Sequence, residues 1–178
     1  MKNKKTWKIA ASVMMLFVAI VVMQAFTTTE ERQLTPAERM HDAIMCYADS
    51  FDVPLYVAFN IATLETGYRG PADSTYNPSQ VSNKGAMGPM QIMYKYADYF
   101  AGHKVSKTML RDSIEFNVRL SMKILARHYK KYKNWKTVAG VYNTGKPIHN
   151  KYAIKAADST YFMKKWIRPQ ITETYANY

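Results

Sequence analysis

Cysteine is nearly absent from this chain. Cys46 is the only one in 178 residues, so no intrachain disulfide can form. The sequence places it on an apolar helical face beside Ile44, Met45 and Tyr47, and we expect a buried structural thiol there rather than a nucleophile. Histidine is also sparse. His41, His103, His128 and His149 are scattered, with no HExxH and no Cys/His ligand spacing, so neither a metal site nor a cofactor site is expected. Acidic residues are few, 13 against 25 Lys+Arg. No alternating strand pattern and no internal repeat is visible, which argues against sheet and solenoid architectures.

Only one long apolar run is present. Ile9 to Phe26 carries no charge and is interrupted by polar residues only at Ser12 and Gln24. As a helix it would span about 27 Å, close to the thickness of a bilayer's hydrocarbon core. Lys2, Lys4, Lys5 and Lys8 precede it and Glu30-Glu31 follow, which predicts an N-terminus inside and the remainder outside. A cleaved signal peptide is the rival reading. The length of the run, and Met23 in a poor cleavage context before Ala25, favour an uncleaved signal-anchor. Either way the chain is expected to be exported: anchored in the membrane and facing the periplasm or cell wall, or secreted if the signal is cut. The organisation is then residues 1–26 as anchor or signal, 27–34 as linker and 35–178 as one domain. A basic exported domain suits an anionic polymer such as a bacterial wall. It lacks any nucleic-acid recognition motif, and export conflicts with such a partner.

The domain reads as mainly α, with six or seven helices. Thr35-Pro36-Ala37-Glu38 is a capping box that starts a helix to about Ser50. Asp52 is expected to cap a second helix, which ends near Thr66 with Gly67 left-handed behind it. Tyr68 to Lys84 is loop. Pro89 is expected to open a helix to about Tyr99, Asp112-Ser113 a long one to about Lys133, Asn134 a short one to Tyr142, and Ser159 a last one to Trp166.

Glu65 stands out against this background. It is the only acid between Asp52 and Asp73, and it ends the apolar run Leu55 to Leu64. Desolvation raises a carboxyl's pKa, so Glu65 is a candidate proton donor near neutral pH. Asp73, in the polar loop that follows, is read as solvated.

Three segments in fixed order carry a resemblance. They are Glu65-Thr66-Gly67-Tyr68, then Ser82-Asn83-Lys84-Gly85-Ala86-Met87-Gly88-Pro89-Met90-Gln91-Ile92-Met93, then Val141-Tyr142-Asn143-Thr144-Gly145. Together they resemble the lysozyme-like domain of soluble lytic transglycosylases, bacterial enzymes that cleave peptidoglycan strands. The resemblance covers about residues 40 to 145. It implies a lysozyme-like fold and Glu65 as the single catalytic acid/base. It implies that Ser82 and Gln91 flank the carboxylate and hold substrate, and that Met93 forms an apolar wall. It implies that the Tyr142 hydroxyl lies near the carboxylate, with Asn143 as a cleft residue or a helix terminator. Gly85 and Gly88 are read as permitting the turn, and Met90 as core.

The reaction implied is cleavage of the β-1,4 bond after N-acetylmuramic acid, leaving a 1,6-anhydro end. Glycan strands are the expected partner, whether in wall remodelling, in an envelope-spanning machine or in phage entry. A hydrolase on the same fold and a non-catalytic wall-binding protein are the alternatives. The chain departs from the family pattern at Thr66 (usually Ser), at Pro89 and Tyr94, and in a longer stretch from Tyr68 to Tyr76. That stretch is expected at the cleft edge.

Overall fold

The computed structural model describes Met14–Met15 and residues 32–167. The chain divides into residues 1–33 and 34–178. Of the first unit, Met14 and Met15 are helical and exposed. The rest of the 9–26 run and residues 27–31 of the expected linker lie outside the described residues. Among the described residues no helix is long and apolar enough to cross a membrane.

Helix α1 (Pro36–Ser50) starts at the capping box as expected. Thr35 Oγ1 accepts from the Glu38 amide at 3.2 Å, and Glu38 Oε2 accepts from the Thr35 amide at 2.8 Å. It buries Ala37, Met40, Ala43, Ile44 and Ala48, mainly against α5. Cys46 is exposed, contrary to expectation. The buried stripe passes through Ala43, Ile44 and Ala48, and position 46 turns outward from it.

Helix α2 (Leu55–Thr66) is enclosed, with Val57 through Ala62 all buried. A helix that is apolar all round belongs inside. Asp52 does not cap it. Asp52 is left-handed (φ 54°), Pro54 holds the cap position, and no side chain bonds the free amides there. At the other end Gly67 is left-handed (φ 71°), and its amide donates to Thr63 O at 3.0 Å.

A two-stranded antiparallel ladder follows, β1 (Ala86–Met87) with β2 (Ile92–Met93), in register Ala86↔Met93 and Met87↔Ile92. The helix expected from Pro89 therefore does not form there. Gly88 (φ 76°) and Gln91 (φ 51°) are both left-handed, which turns the chain back on itself. Helix α3 (Tyr94–Ala101) starts only after the ladder. Then come α4 (Lys107–Asp112), α5 (Ile114–Tyr132), α6 (Trp135–Thr144), α7 (Lys151–Ala156) and α8 (Ser159–Phe162), with a π-helical turn at Met163–Ile167. The described residues thus hold eight α-helices where six or seven were expected. The short α4 and α7, each capped by a side chain (Ser106, Asn150), account for the difference.

Two apolar cores form among the described residues. The larger joins α1, α2, α5, α6, α7 and Trp166. The smaller gathers Ile92, Ala97, Val105, Leu110, Leu120 and Ile124. Among the described residues, Tyr142 alone packs against both. The Tyr68–Tyr76 stretch, expected at the cleft edge, is anchored in the main core at both ends, with Arg69, Ala72, Ser74 and Thr75 exposed between them. Tyr68 is fully buried, its hydroxyl donates to Ala37 O at 3.0 Å, and its ring packs on Trp166 and Tyr76 at 5.4 and 5.0 Å. Large aromatic rings draw this segment into the main core.

Candidate active site

Glu65 is the penultimate residue of α2, so the buried helix carries its carboxyl to the edge of the main core. Burial raises its pKa from 4.5 to about 7, against the pull of one hydrogen bond that favours the ionised form. That bond comes from Tyr152 on α7, whose hydroxyl donates to Glu65 Oε1 at 2.5 Å. Helix α7 is itself tied to α2. The Asn60 amide donates to the carbonyls of Lys155, at 3.1 Å, and Asp158, at 3.0 Å, at the C-terminal end of α7. One helix therefore holds both the acid and the clamp that sets its partner.

Tyr152 lies outside every motif seen in the sequence. The tyrosine expected beside the carboxylate, Tyr142, bonds elsewhere. Its hydroxyl donates to Met90 O at 2.7 Å and pairs with the Ser121 hydroxyl at 3.0 Å. Burial and then the Glu65 charge raise its pKa, so it lies within the field of the carboxylate without bonding to it. It braces the floor between the two cores.

The turn after β1 is fixed from α5. Asn117 is fully buried and reaches three backbone groups. Its Oδ1 accepts from Met90 N at 3.0 Å, and its Nδ2 donates to Met87 O and Leu110 O at 2.9 and 2.7 Å. A β-carbon on Gly88 would stand 2.3 Å from that Nδ2, so glycine is required there for approach as well as for its φ. Thr66 closes the other side. Its hydroxyl donates to Pro89 O at 2.8 Å and lies 3.2 Å from the Tyr76 hydroxyl.

The remaining expected residues take distinct places. Ser82 is half-buried, and its Oγ accepts from Ala86 N at 3.0 Å, so it shapes the loop into β1. Gln91 donates from Nε2 to Gln80 O and Gly88 O at 3.0 and 2.9 Å. A glutamine at positive φ is a strained choice, and strain of this kind collects at functional sites. Met93 precedes α3, and Asn143 Oδ1 accepts from Asn150 Nδ2 at 3.1 Å near the end of α6. Met90 is fully buried, as read.

Gln91, Met93, Tyr142 and Asn143 line one groove of about 770 Å³, and Lys95 and Tyr99 line it farther along. Glu65 and Ser82 are not among its lining residues; Tyr142 is the link between the groove and the carboxylate. Asp73 is not the solvated residue expected: its side chain is only 8% exposed, covered by Arg69 at 3.0 Å and by the Thr75 hydroxyl at 2.7 Å. These bonds hold its pKa down at about 2, so it stays ionised and has no proton to give. Among the described residues no group of three or more His, Cys, Asp or Glu is placed to hold a metal.

Helices around a largely buried glutamate, with a groove beside a short β-hairpin, make a mainly helical, lysozyme-like architecture. The chain belongs to the Transglycosylase SLT domain family, which matches residues 70–163, over half of it. Glu65 lies just before the matched stretch. The solved complex of the 70-kDa soluble lytic transglycosylase with bulgecin A is similar, with 25% identity and a TM-score of 0.50. The match covers 70% of this chain and 20% of that one, so this chain spans about a fifth of that protein's length. No curated protein matches the chain.

Proposed function

We propose that this chain is a peptidoglycan lytic transglycosylase, with Glu65 as its acid and then its base. The observation that carries the reading is a carboxyl at the end of a buried helix, with a pKa of about 7, held by the Tyr152 hydroxyl. Such a group is protonated often enough at neutral pH to donate, and ionised readily enough to accept.

The protonated Glu65 gives its proton to the bridging oxygen as the bond from C1 of the muramyl sugar breaks. The N-acetyl oxygen of that sugar stabilises the positive charge at C1. Its C6 hydroxyl oxygen then bonds to C1, and the C6 proton passes to Glu65, which regains its starting state. No water is consumed, and the product carries a 1,6-anhydro ring. A two-carboxylate glycosidase needs a second acid flanking the bond. Asp73 does not suit that role, being engaged by Arg69 and Thr75. The rival, attack by water on the same carbon, gives a reducing end instead.

Export with an N-terminal anchor belongs to the same proposal. It rests on the 9–26 run and the lysines before it. Fractionation of cells making the full chain tests it: the protein should sediment with membranes and be open to protease from outside the cytoplasm. Catalysis is tested with Glu65→Gln, which should abolish release of fragments from purified sacculi while the protein stays folded. Bulgecin A, bound by the 70-kDa relative, is expected to bind this chain as well.

A further inference from the structure

One stretch of the chain carries cations without acids. From Phe116 to Ala157 there is no Asp or Glu, against ten Lys and Arg. They are densest at the junction of α5 and α6, where Lys130, Lys131, Lys133 and Lys136 fall within seven residues. All four are exposed, and among the described residues none forms an ion pair. None of them lines the groove.

Helix stability explains only part of this. Lys130 and Lys131 stand in the last turn of α5, where the helix dipole favours a cation. Lys136 stands in the first turn of α6, where the dipole opposes one. Lys133 is left-handed (φ 51°) at the end of α5, a position that Gly67, Gly102 and Gly145 fill after α2, α3 and α6. Folding alone favours glycine there, not lysine.

Aromatic rings lie between the lysines. Tyr129 and Trp135 stack across the junction, with ring centres 4.2 Å apart. Both rings, and that of Tyr132, are half-buried and packed against the main core. Lys131 Nζ sits 5.1 Å from the centre of the Tyr132 ring, and Lys133 Nζ 5.8 Å from that of Tyr129. Exposed ammonium groups beside half-buried Tyr and Trp rings suit the headgroup level of a bilayer, where cations meet phosphate and the rings meet the acyl boundary.

We propose that the α5–α6 junction docks on an anionic phospholipid surface, with its four lysines on headgroup phosphates and Tyr132 and Trp135 at the headgroup level. The choice of a lipid surface rests on the anchor proposed above. Only residues 27–34 separate the apolar run from Thr35, a reach of at most about 29 Å when fully extended. The inference adds that the domain is held at the bilayer by its own surface as well as by its tether.

Lysine labelling tests this without depending on turnover. Full-length protein in vesicles is treated with an uncharged acetylating ester, and mass spectrometry reads the rate at each lysine. In phosphatidylglycerol vesicles Lys130, Lys131, Lys133 and Lys136 should react about fivefold more slowly than in phosphatidylcholine vesicles, and high salt should remove the difference. Lys107, exposed on α4 ahead of the other end of α5, should react alike in both. Equal rates at the four lysines in the two kinds of vesicle would overturn the inference. So would equal protection by soluble polyphosphate added to phosphatidylcholine vesicles, because the junction would then be taking any polyanion. Flotation of the vesicles reads the anchor separately. Protein that floats with phosphatidylglycerol but not with phosphatidylcholine would sink the anchor and uphold the docking surface. Replacing the four lysines together (Lys130→Gln, Lys131→Gln, Lys133→Gln, Lys136→Gln) should then end its flotation.

Discussion

The Tyr152 hydroxyl donates a 2.5 Å hydrogen bond to Oε1 of Glu65, joining residues 87 positions apart. This bond favours the ionised carboxylate and opposes the burial that favours the neutral acid. Tyr152→Phe therefore raises the Glu65 pKa further. If Glu65 is the general acid, activity falls as pH rises through its pKa. The alkaline limb of the pH profile of kcat/KM should then move up by about one pH unit, since a hydrogen bond to a charged group is worth about 1.5–3 kcal/mol. The rate at the optimum should drop severalfold as the carboxyl loses its orientation. A limb that stays in place, or moves to lower pH, would remove Tyr152 from the account.

Burial of Glu65 also has a stability consequence with a definite sign. Its folded pKa, about 7, lies above the unfolded value of 4.5. Between these values the unfolded chain gives up its proton first, so stability falls as pH rises across that window and levels off above it. Glu65→Gln removes this effect and can still accept from Tyr152. The variant should match the parent near pH 4 and be more stable by on the order of 2–3 kcal/mol at pH 8. Urea unfolding at the two pH values measures this.

The site was legible where its signal is local. Glu65 is an acid at the end of an apolar run, and the Thr35 capping box and Gly67 each act over a few residues, so pattern alone located them. Tyr152 and Asn117 were missed because their bonds are to groups distant in sequence and neither sits in a distinctive pattern. The turn at Gly88 was misread for a related reason. Pro89 after glycine looks like a helix start, but the close approach of Asn117 and the positive φ of Gln91 make it a reversal. The resemblance puts the Tyr142 hydroxyl near the carboxylate; in the structure that hydroxyl is taken by Met90 O and Ser121, and Tyr142 lines the groove.

That reversal is open to test. A β-carbon at Gly88 would meet Asn117 Nδ2 at 2.3 Å and Leu110 O at 2.4 Å, at a φ of 76°. Gly88→Ala should cost at least about 3 kcal/mol, from the clash together with left-handed strain. Gly145→Ala, at a similar φ of 74° with nothing within 4 Å of the new carbon, should cost only about 1 kcal/mol. Denaturant midpoints that fall together would mean Asn117 does not constrain the turn.

Thr66 offers a comparison on the other side of the same turn. Thr66→Val keeps the volume but strands the Pro89 carbonyl and the Tyr76 hydroxyl, at a cost of about 1–3 kcal/mol. Thr66→Ser keeps both bonds and loses one methyl, so its cost should be about 1 kcal/mol. Equal losses in thermal unfolding would show that packing, and not the hydroxyl, matters at this position.

The central claim is that Glu65 delivers the sugar's own C6 hydroxyl to C1. Mass spectrometry of the fragments released from purified sacculi tests it most directly. The account predicts muramyl ends lighter by one water than hydrolysed ends, formed by the parent protein and absent with Glu65→Gln. Reducing ends from the parent, or undiminished anhydro ends from Glu65→Gln, would contradict it.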